Sequence, residues 1–224
     1  MAEAGNPLMA GNRTNLHQRF RDVISSEAEL RAVVGEPVDK AVAKVVTTID
    51  EYSRRFIANS PFILIGSAGA GGMIDVSPKG DPAGFVKVLD ETTLAIPDRL
   101  GNRRLDTFLN ILRNPNVGLI FLIPGITYTL RVSGNAMIVR DPHLRQSMAM
   151  NGKVPDHVLV VDVEHVLTHC PKCMVRSGLW QPERWPNPAG VPLFAETLIA
   201  HAKLAESVEE MTDLLDRDTR EKLY

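Results

Sequence analysis

The stretch TLAIPDRLGNRRLDTFLNILRNPNVGLIFLIPG, residues 93–125, changes its residue pattern twice and so indicates which elements this chain combines. It begins with the β-branched run TLAIP and ends with NVGLIFLI, and both runs are typical of strands. Between them four apolar residues recur at i, i+3, i+4 and i+7: Leu105, Phe108, Leu109 and Leu112. This spacing predicts a helix with one apolar face, which the NPN at 114–116 ends.

Much of the remaining chain consists of short β-rich segments, most of them separated by Gly, Pro or Asn turns. They are SPFILIGSA, GFVKVL, ITYTLRVSG and HVLVVDVEHV. In the third segment Ile126, Tyr128, Leu130 and Val132 alternate with polar residues, which predicts a strand with one buried face. Helices do not alternate with the strands one for one, so a doubly wound parallel sheet is disfavoured. The sequence predicts a mainly β fold, an antiparallel barrel with added helices.

Helical spacing recurs on both sides of the strands. It runs from Pro37 to Phe56, and a final helix is expected near 193–216. The patterns divide the chain into three parts: an N-terminal arm at 1–36, a barrel domain at 37–190 and a C-terminal helical extension of the same domain at 191–224.

The composition is that of an ordinary globular protein, with 224 residues, 44% hydrophobic, 23% charged and a formal net charge of −2. Near-neutral charge argues against a dedicated nucleic-acid or membrane-surface binder. The N-terminal residues lack the basic-then-apolar pattern of a signal peptide, and no apolar run approaches transmembrane length. Two cysteines do not make a disulfide framework, so we expect a cytoplasmic protein.

Asn102, Arg103 and Arg104 stand where the central helix is expected to begin, and Asn102 is a suitable N-cap. Two arginines in a first helical turn oppose the partial positive charge of the helix N-terminus. In one interpretation Arg103 pairs with Asp106 while Arg104 points into solvent. In the other, both arginines and the free N–H groups of the first turn bind a phosphate. The residues alone leave both interpretations open.

Three further motifs carry glycines, polar residues or aromatic residues at high density. GSAGAGG at 66–72 is followed by β-type residues, which indicates a hairpin connection rather than a dinucleotide-binding turn. DVSPKGDP at 75–82 is either a polar turn or a segment that faces a ligand. RSGLWQPERWP at 176–186 either closes the core with its two tryptophans or offers an aromatic wall to a planar ligand.

HVLTHCPKC at 165–173 contains both cysteines of the chain. Its histidines and cysteines could in principle close a zinc site, but zinc motifs usually have two separated ligand pairs and these four residues are crowded together. A thioredoxin-like C-x-x-C needs a βαβ setting, which is not predicted here. We expect Cys170 and Cys173 to be packed or reduced thiols, and we expect no metal.

Three segments together resemble the flavin-binding split-barrel family that includes pyridoxamine 5′-phosphate oxidase. They are residues 93–125, YTLRVSGNA at 128–136 and the HC-x-K-x-x-x-R-S-x-LW pattern at 169–180. The resemblance implies a six-stranded antiparallel split barrel and a homodimer with FMN at the subunit interface. It also implies an FMN-dependent oxidoreductase that acts on a small molecule, with neither the substrate nor a catalytic residue identified.

The resemblance assigns cofactor-binding residues as well. Asn102, Arg103 and Arg104 take the position that holds the FMN phosphate, which would be the anion that two arginines require. Residues of the strands would lie beside the flavin ring and the ribityl chain: Asp75, Val76, Ser77, Lys79, Ile96, Pro97, Thr129 and Arg131. Thr129 replaces a longer glutamine of the family. From the partner subunit, Lys172, Arg176 and Trp180 would reach the same FMN.

Two departures from the family pattern limit these implications. The helix after Arg103 runs a turn longer than in the oxidase, and the Arg-x-His ending that binds the oxidase substrate is absent. Vitamin B6 phosphate is therefore not the expected substrate. Two other functions stay open: a flavin or haem protein of the same fold that binds or senses without turnover, and an enzyme with a deazaflavin co-substrate.

Overall fold

The computed structural model describes residues 19–224, which form two compact units that divide between Ala43 and Lys44. The first unit contains helices α1 (Glu27–Val34) and α2 (Asp39–Ala43). Ser26 caps α1, because its hydroxyl accepts a hydrogen bond from the backbone N–H of Glu29. The arm predicted at 1–36 thus contains a helix, and its first 18 residues lie outside the described part.

The helical spacing from Pro37 to Phe56 belongs to two helices rather than one. After α2 ends at Ala43, α3 (Glu51–Asn59) begins with Asp50 as its N-cap. The Asp50 carboxylate accepts a hydrogen bond from the backbone N–H of Ser53 at 2.7 Å. Phe56 and Ile57 of α3 are buried.

The second unit is built on one antiparallel sheet of seven strands, where six were expected. They are β1 (Phe62–Ala68), β2 (Ile74–Gly80), β3 (Lys87–Val88), β4 (Thr93–Pro97), β5 (Asn116–Leu122), β6 (Thr129–Val139) and β7 (Val158–His169). Their order across the sheet is β2-β1-β5-β6-β7-β4-β3. The prediction of a mainly antiparallel β fold with added helices is confirmed. So is the hairpin at the glycine-rich segment, which connects the paired strands β1 and β2.

Alternate residues of the strands build the core, as the period of two requires. Fully buried examples are Ile63 and Ile65 of β1, and Leu119 and Phe121 of β5. β6 begins only at Thr129, so the alternation expected from Ile126 is correct for Leu130 and Val132 but not earlier. Ile126 and Tyr128 precede the strand and are exposed.

The strands β6 and β7 approach each other closely where their pairing shifts register between Ser133 and Gly134. A Cβ atom added at Gly134 would lie 1.9 Å from the backbone oxygen of Asp162. Only glycine fits this irregularity, because no side chain can occupy that space.

The helix between β4 and β5 is α4 (Asp106–Ile111). Its buried residues are Thr107, Phe108, Asn110 and Ile111. The predicted apolar face is wrong in three of its four members, because Leu105, Leu109 and Leu112 are exposed. Thr107 and Asn110 are buried instead, because they form hydrogen bonds with residues of β1 and β2.

Four more α-helices follow: α5 (Pro142–Ser147), α6 (Lys172–Ser177), α7 (Phe194–Ala202) and α8 (Val208–Glu221). Short 3-10 helices occur at Ala70–Gly72, Pro182–Arg184 and Pro188–Gly190. The single helix expected near 193–216 is therefore two. Lys203 ends α7 in a left-handed conformation, and Ser207 begins α8 by a reciprocal pair of hydrogen bonds with Glu210. Within residues 19–224 no helix is both long and apolar enough to cross a bilayer.

Candidate functional site

A cleft of about 870 Å³ lies where the ends of β2 and β4 meet the beginning of α4. Its lining comes from three segments and two single residues: 77–80, 97–108, 153–157, Phe85 and Tyr224. Six of the residues predicted for the FMN site are in this lining: Ser77, Lys79, Pro97, Asn102, Arg103 and Arg104.

The two arginines precede α4 rather than lying in its first turn, so the prediction that Asn102 caps the helix is wrong. Asn102 instead accepts a hydrogen bond from the backbone N–H of Arg104 at 3.0 Å. Arg103 and Leu105 have left-handed backbones, with φ of 59° and 61°, and the helix begins at Asp106. The arginines therefore belong to a tight loop that enters the helix.

The two guanidinium groups differ in their partners. Arg104 donates from Nε to the Asp106 carboxylate at 2.9 Å, and this hydrogen bond, followed by the charge of Asp106, raises the pKa of Arg104. The predicted alternative, in which Arg103 pairs with Asp106, is wrong. Arg103 has no ion-pair partner among residues 19–224. It is therefore an exposed cation that can accept an anion at the rim of the cleft.

Asp75, Ser77 and Lys79 alternate along β2 and are half-buried, while Val76 between them is 61% exposed. Side chains on the buried face of α4 form hydrogen bonds with two of these β2 residues, Asp75 and Ser77. Thr107 donates to the Ser77 hydroxyl at 2.8 Å. Asn110 donates to the Asp75 carboxylate at 2.7 Å and is also 3.1 Å from the Ser67 hydroxyl.

Gly69 makes room for this network at the hairpin between β1 and β2. A Cβ atom at that position would lie 2.8 Å from the side-chain oxygen of Asn110. Sequence periodicity missed both Thr107 and Asn110, because their partners lie on strands that the helical pattern does not contain.

Lys79, Asp98 and His157 form a chain of polar side chains in the cleft. The Asp98 carboxylate is 3.0 Å from Lys79 Nζ and 3.5 Å from His157 Nε2. The buried Nε2 atom has no hydrogen-bond partner among residues 19–224. The centroid of the Phe108 ring lies 5.1 Å from Lys79 Nζ and 4.5 Å from the centroid of the His157 ring.

A second ion pair lies at the same end of the cleft. Arg99 donates from Nε to Asp81 at 2.6 Å, and the Asp81 side chain is 1% exposed. The Tyr224 hydroxyl donates to the other oxygen of Asp81 at 2.7 Å, and this hydrogen bond is the main cause that raises the pKa of Tyr224. Asp98, Arg99, His157 and Tyr224 were not predicted; the charged pair Asp98 and Arg99 directly after β4 was the one local sign of them.

The remaining predicted residues lie elsewhere. Thr129, Lys172 and Arg176 line a separate groove of about 400 Å³, which shares no lining residue with the cleft. Arg131 is exposed on β6, and the Ile96 side chain is buried in the core. Trp180 is half-buried and donates from Nε1 to the backbone oxygen of Ile126 at 2.9 Å.

Both cysteines are exposed free thiols, so of the two predicted alternatives, packed or reduced, the structure agrees with the second and not with the first. They line the same groove as Lys172 and Arg176. In the described part of the chain there is no group of three or more His, Cys, Asp or Glu side chains that could hold a metal ion. That Cys170 and Cys173 bind no metal stays a prediction.

The model of the pyridoxamine 5′-phosphate oxidase family matches residues 49–170, which is more than half of the chain and includes β1–β7 and α4. The chain belongs to this family. The match ends before Lys172, Arg176 and Trp180, so the family assignment does not extend to these residues. A comparison with curated proteins finds no match.

Solved structures that are similar to this chain share little sequence with it. HupZ of Group A Streptococcus is 19% identical, with 53% of this chain and 91% of that chain covered and a TM-score of 0.44. A candidate pyridoxamine 5′-phosphate oxidase of Lactobacillus delbrueckii is 21% identical, with coverages of 55% and 99% and a TM-score of 0.41. An FMN-binding protein of Syntrophomonas wolfei is 12% identical, with coverages of 52% and 83% and a TM-score of 0.42.

Proposed function

We propose that this chain is an FMN-dependent oxidoreductase that acts on a small molecule as a homodimer. The observation that carries the proposal is the cleft beside β2, because it gathers Lys79, Arg103 and Arg104 at one opening. Membership of the oxidase family supports the choice of FMN as the ligand. The substrate is a separate question, which the cleft does not answer.

The donor set of the cleft fits FMN. Five cations and three anions line it, an excess of two positive charges: Lys79, Arg99, Arg103, Arg104 and Lys153 against Asp98, Asp106 and Asp156. Arg99 forms an ion pair with Asp81, which is not a lining residue, and Arg104 forms an ion pair with Asp106. Arg103 is then the guanidinium most free to bind a phosphate, which it does with forked, charge-assisted hydrogen bonds.

Each polar residue of the cleft has a distinct part in this proposal. Arg103 and Arg104 would hold the phosphate, and the hydroxyls of Ser77 and Thr107, which line the same cleft, would be partners of the ribityl chain. Lys79, which forms an ion pair with Asp98, would place positive charge near the ring. FMN, when bound, supplies the two-electron chemistry, and the chain supplies binding, orientation and electrostatics.

The split-barrel geometry is part of the proposal, and two ion pairs support it. Lys79 with Asp98, and Asp81 with Arg99, join the end of β2 to the residues after β4. Four strands separate β2 from β4 in the sheet order. Contacts between strands so far apart in the order are expected when a sheet curls towards closure.

Exposed apolar residues near the cleft support a subunit interface. Leu109 of α4 and the two residues that flank this helix, Leu105 and Leu112, are spaced at i, i+4 and i+7, and they are 44%, 44% and 72% exposed. Val76 lies on the neighbouring strand β2. A second copy of the chain that covers this face would bring its own Lys172, Arg176 and Trp180 to the FMN.

Titration with FMN tests the proposal. Replacement of both Arg103 and Arg104 by Ala should weaken FMN binding by roughly 3–5 kcal/mol, at about 1.5–3 kcal/mol for each charged hydrogen bond. Riboflavin, which lacks the phosphate, should bind both proteins almost equally. Arg55→Ala, at an exposed arginine of α3 outside the cleft, is the matched control.

The absorption spectrum of the purified protein and the fluorescence titration give the readout together. Flavin maxima with an affinity loss confined to the double variant support the assignment. Equal FMN affinity in the double variant and in Arg55→Ala would refute the phosphate role of the two arginines. A Soret band would favour the haem alternative instead.

A further inference from the structure

The groove beside α6 places two free thiols among cationic side chains, and the proposed FMN chemistry uses neither thiol. We propose that Cys170 and Cys173 are a redox-active dithiol that closes reversibly into an intramolecular disulfide by exchange with small-molecule disulfides. Within one chain, the groove that holds both thiols shares no lining residue with the FMN cleft.

The backbone between the cysteines has the geometry that a disulfide needs. The distance between Cα atoms of residues i and i+3 is set by the two residues between them. Pro171 has φ −73° and ψ −7°, and Lys172 is the first residue of α6. Two right-handed helical residues bring the outer Cα atoms to about 5 Å, within the range of about 4.4–6.8 Å that disulfides span.

A hydrogen bond fixes this turn. The backbone N–H of Val175 donates to the oxygen of Pro171 at 3.0 Å, so Pro171, Lys172 and Cys173 belong to the first turn of α6. Both thiols are exposed and face the same groove. Closure therefore requires side-chain rotation rather than a rearrangement of the backbone.

The surroundings of the thiols are positive. Lys172 and Arg176 line the groove with them, and none of its described lining residues is acidic. A positive groove attracts anionic small-molecule disulfides, of which glutathione disulfide is one.

The exchange balances with a low-molecular-weight disulfide as the oxidant. The thiolate of one cysteine attacks a sulfur of that disulfide, whose S–S bond breaks and releases one small thiol. The second cysteine loses its proton and attacks the mixed disulfide, which releases the second small thiol. The dithiol loses two electrons and two protons, and the small-molecule disulfide takes up both.

The test uses the full chain, reduced and then incubated with glutathione disulfide. The chain has only two cysteines, so a thiol count and an intact mass after alkylation are unambiguous. We expect the wild-type protein to lose both thiols without retaining glutathione, and to run as a single chain on a non-reducing gel. Cys170→Ser and Cys173→Ser should each stop at the mixed disulfide.

Two further measurements separate this site from an ordinary pair of thiols. The equilibrium constant for closure should be at least about tenfold higher in the folded protein than in guanidinium, because the turn is preorganised only when folded. Lys172→Gln should slow the attack severalfold, whereas Lys153→Gln, in the other cleft, should not. Retained thiols, a stable mixed disulfide in the wild type, links between chains, or equal constants folded and unfolded would overturn the proposal.

Discussion

His169 ends β7 beside the cationic side chains of Arg131 and Lys44. Burial is the main cause that lowers its pKa, and the two charges lower it further. The imidazole is therefore neutral at neutral pH. Since the unfolded chain takes up a proton near the ordinary pKa of about 6.5, His169 contributes stability above that pH, and the contribution is lost as the pH falls towards the folded-state value.

Arg131→Gln should raise the pKa of His169, because one of the two positive charges near the ring is removed. NMR titration of the imidazole protons measures the change, and Arg55→Gln serves as a control at a distant exposed arginine. A His169 pKa that is the same in both variants would mean that Arg131 makes no contribution to the shift.

At the scale of the element, α4 shows what a hydrophobic pattern can and cannot predict. Its leucine spacing indicated a helix correctly, yet the buried face holds Thr107 and Asn110, which bond to polar residues of β1 and β2. Burying an amide side chain is tolerated when its hydrogen-bond partners are in place, whereas a buried amide without them destabilises the folded protein. The exposed leucines form the opposite face.

Asn110→Ala should destabilise the protein by about 1–3 kcal/mol, because the half-buried Asp75 and the buried Ser67 then lose their donor. Leu109→Ala, on the exposed face of the same helix, is the matched control and should change the free energy of unfolding little. Denaturant unfolding gives both values. A larger loss for Leu109→Ala would show that the leucine row, rather than the polar face, anchors α4 in the single chain.

The irregularity at Gly134 should tolerate no side chain. Gly134→Ala forces a Cβ atom against the backbone of Asp162, so we expect a loss of about 3 kcal/mol or more in the free energy of unfolding. Gly118→Ala on β5 is the matched control, since nothing lies within 4 Å of its added Cβ. Equal stability of the two variants would mean that β6 and β7 separate at little cost.

The strands and the polar row of β2 could be predicted because alternation and turn residues are local properties of the sequence. The contribution of His157 could not, because it reaches Asp98 only after the chain has passed through β5 and β6. The left-handed backbone conformation of Arg103 could not be predicted either. A left-handed arginine has no sequence signature, so the helix was expected to begin too early.

At the scale of the whole molecule, nine of the fourteen predicted cofactor residues lie in two places that share no lining residue. The cleft contains Lys79, Arg103 and Arg104, and the groove contains Lys172 and Arg176. Under the proposed function, a two-fold dimer joins the cleft of one subunit to the α6 segment of the other.

Mixing two defective proteins tests this arrangement. One carries Arg103→Ala with Arg104→Ala, and the other carries Arg176→Ala with Trp180→Ala. A heterodimer should regain one intact FMN site, because both lesions then fall in the other site. FMN binding that stays at the level of the two parents, although subunits are shown to exchange, would mean that each subunit builds its site alone.

The left-handed loop before α4 has a consequence for laboratory evolution of this protein. Arg103 and Leu105 each occupy a conformation that costs an L-residue about 1–2 kcal/mol and costs glycine almost nothing. A library selected only for heat resistance should therefore enrich glycine at both positions, and at 103 it would discard the guanidinium. Selection for cofactor retention should keep arginine there, so the two selections would drive the same codon in opposite directions.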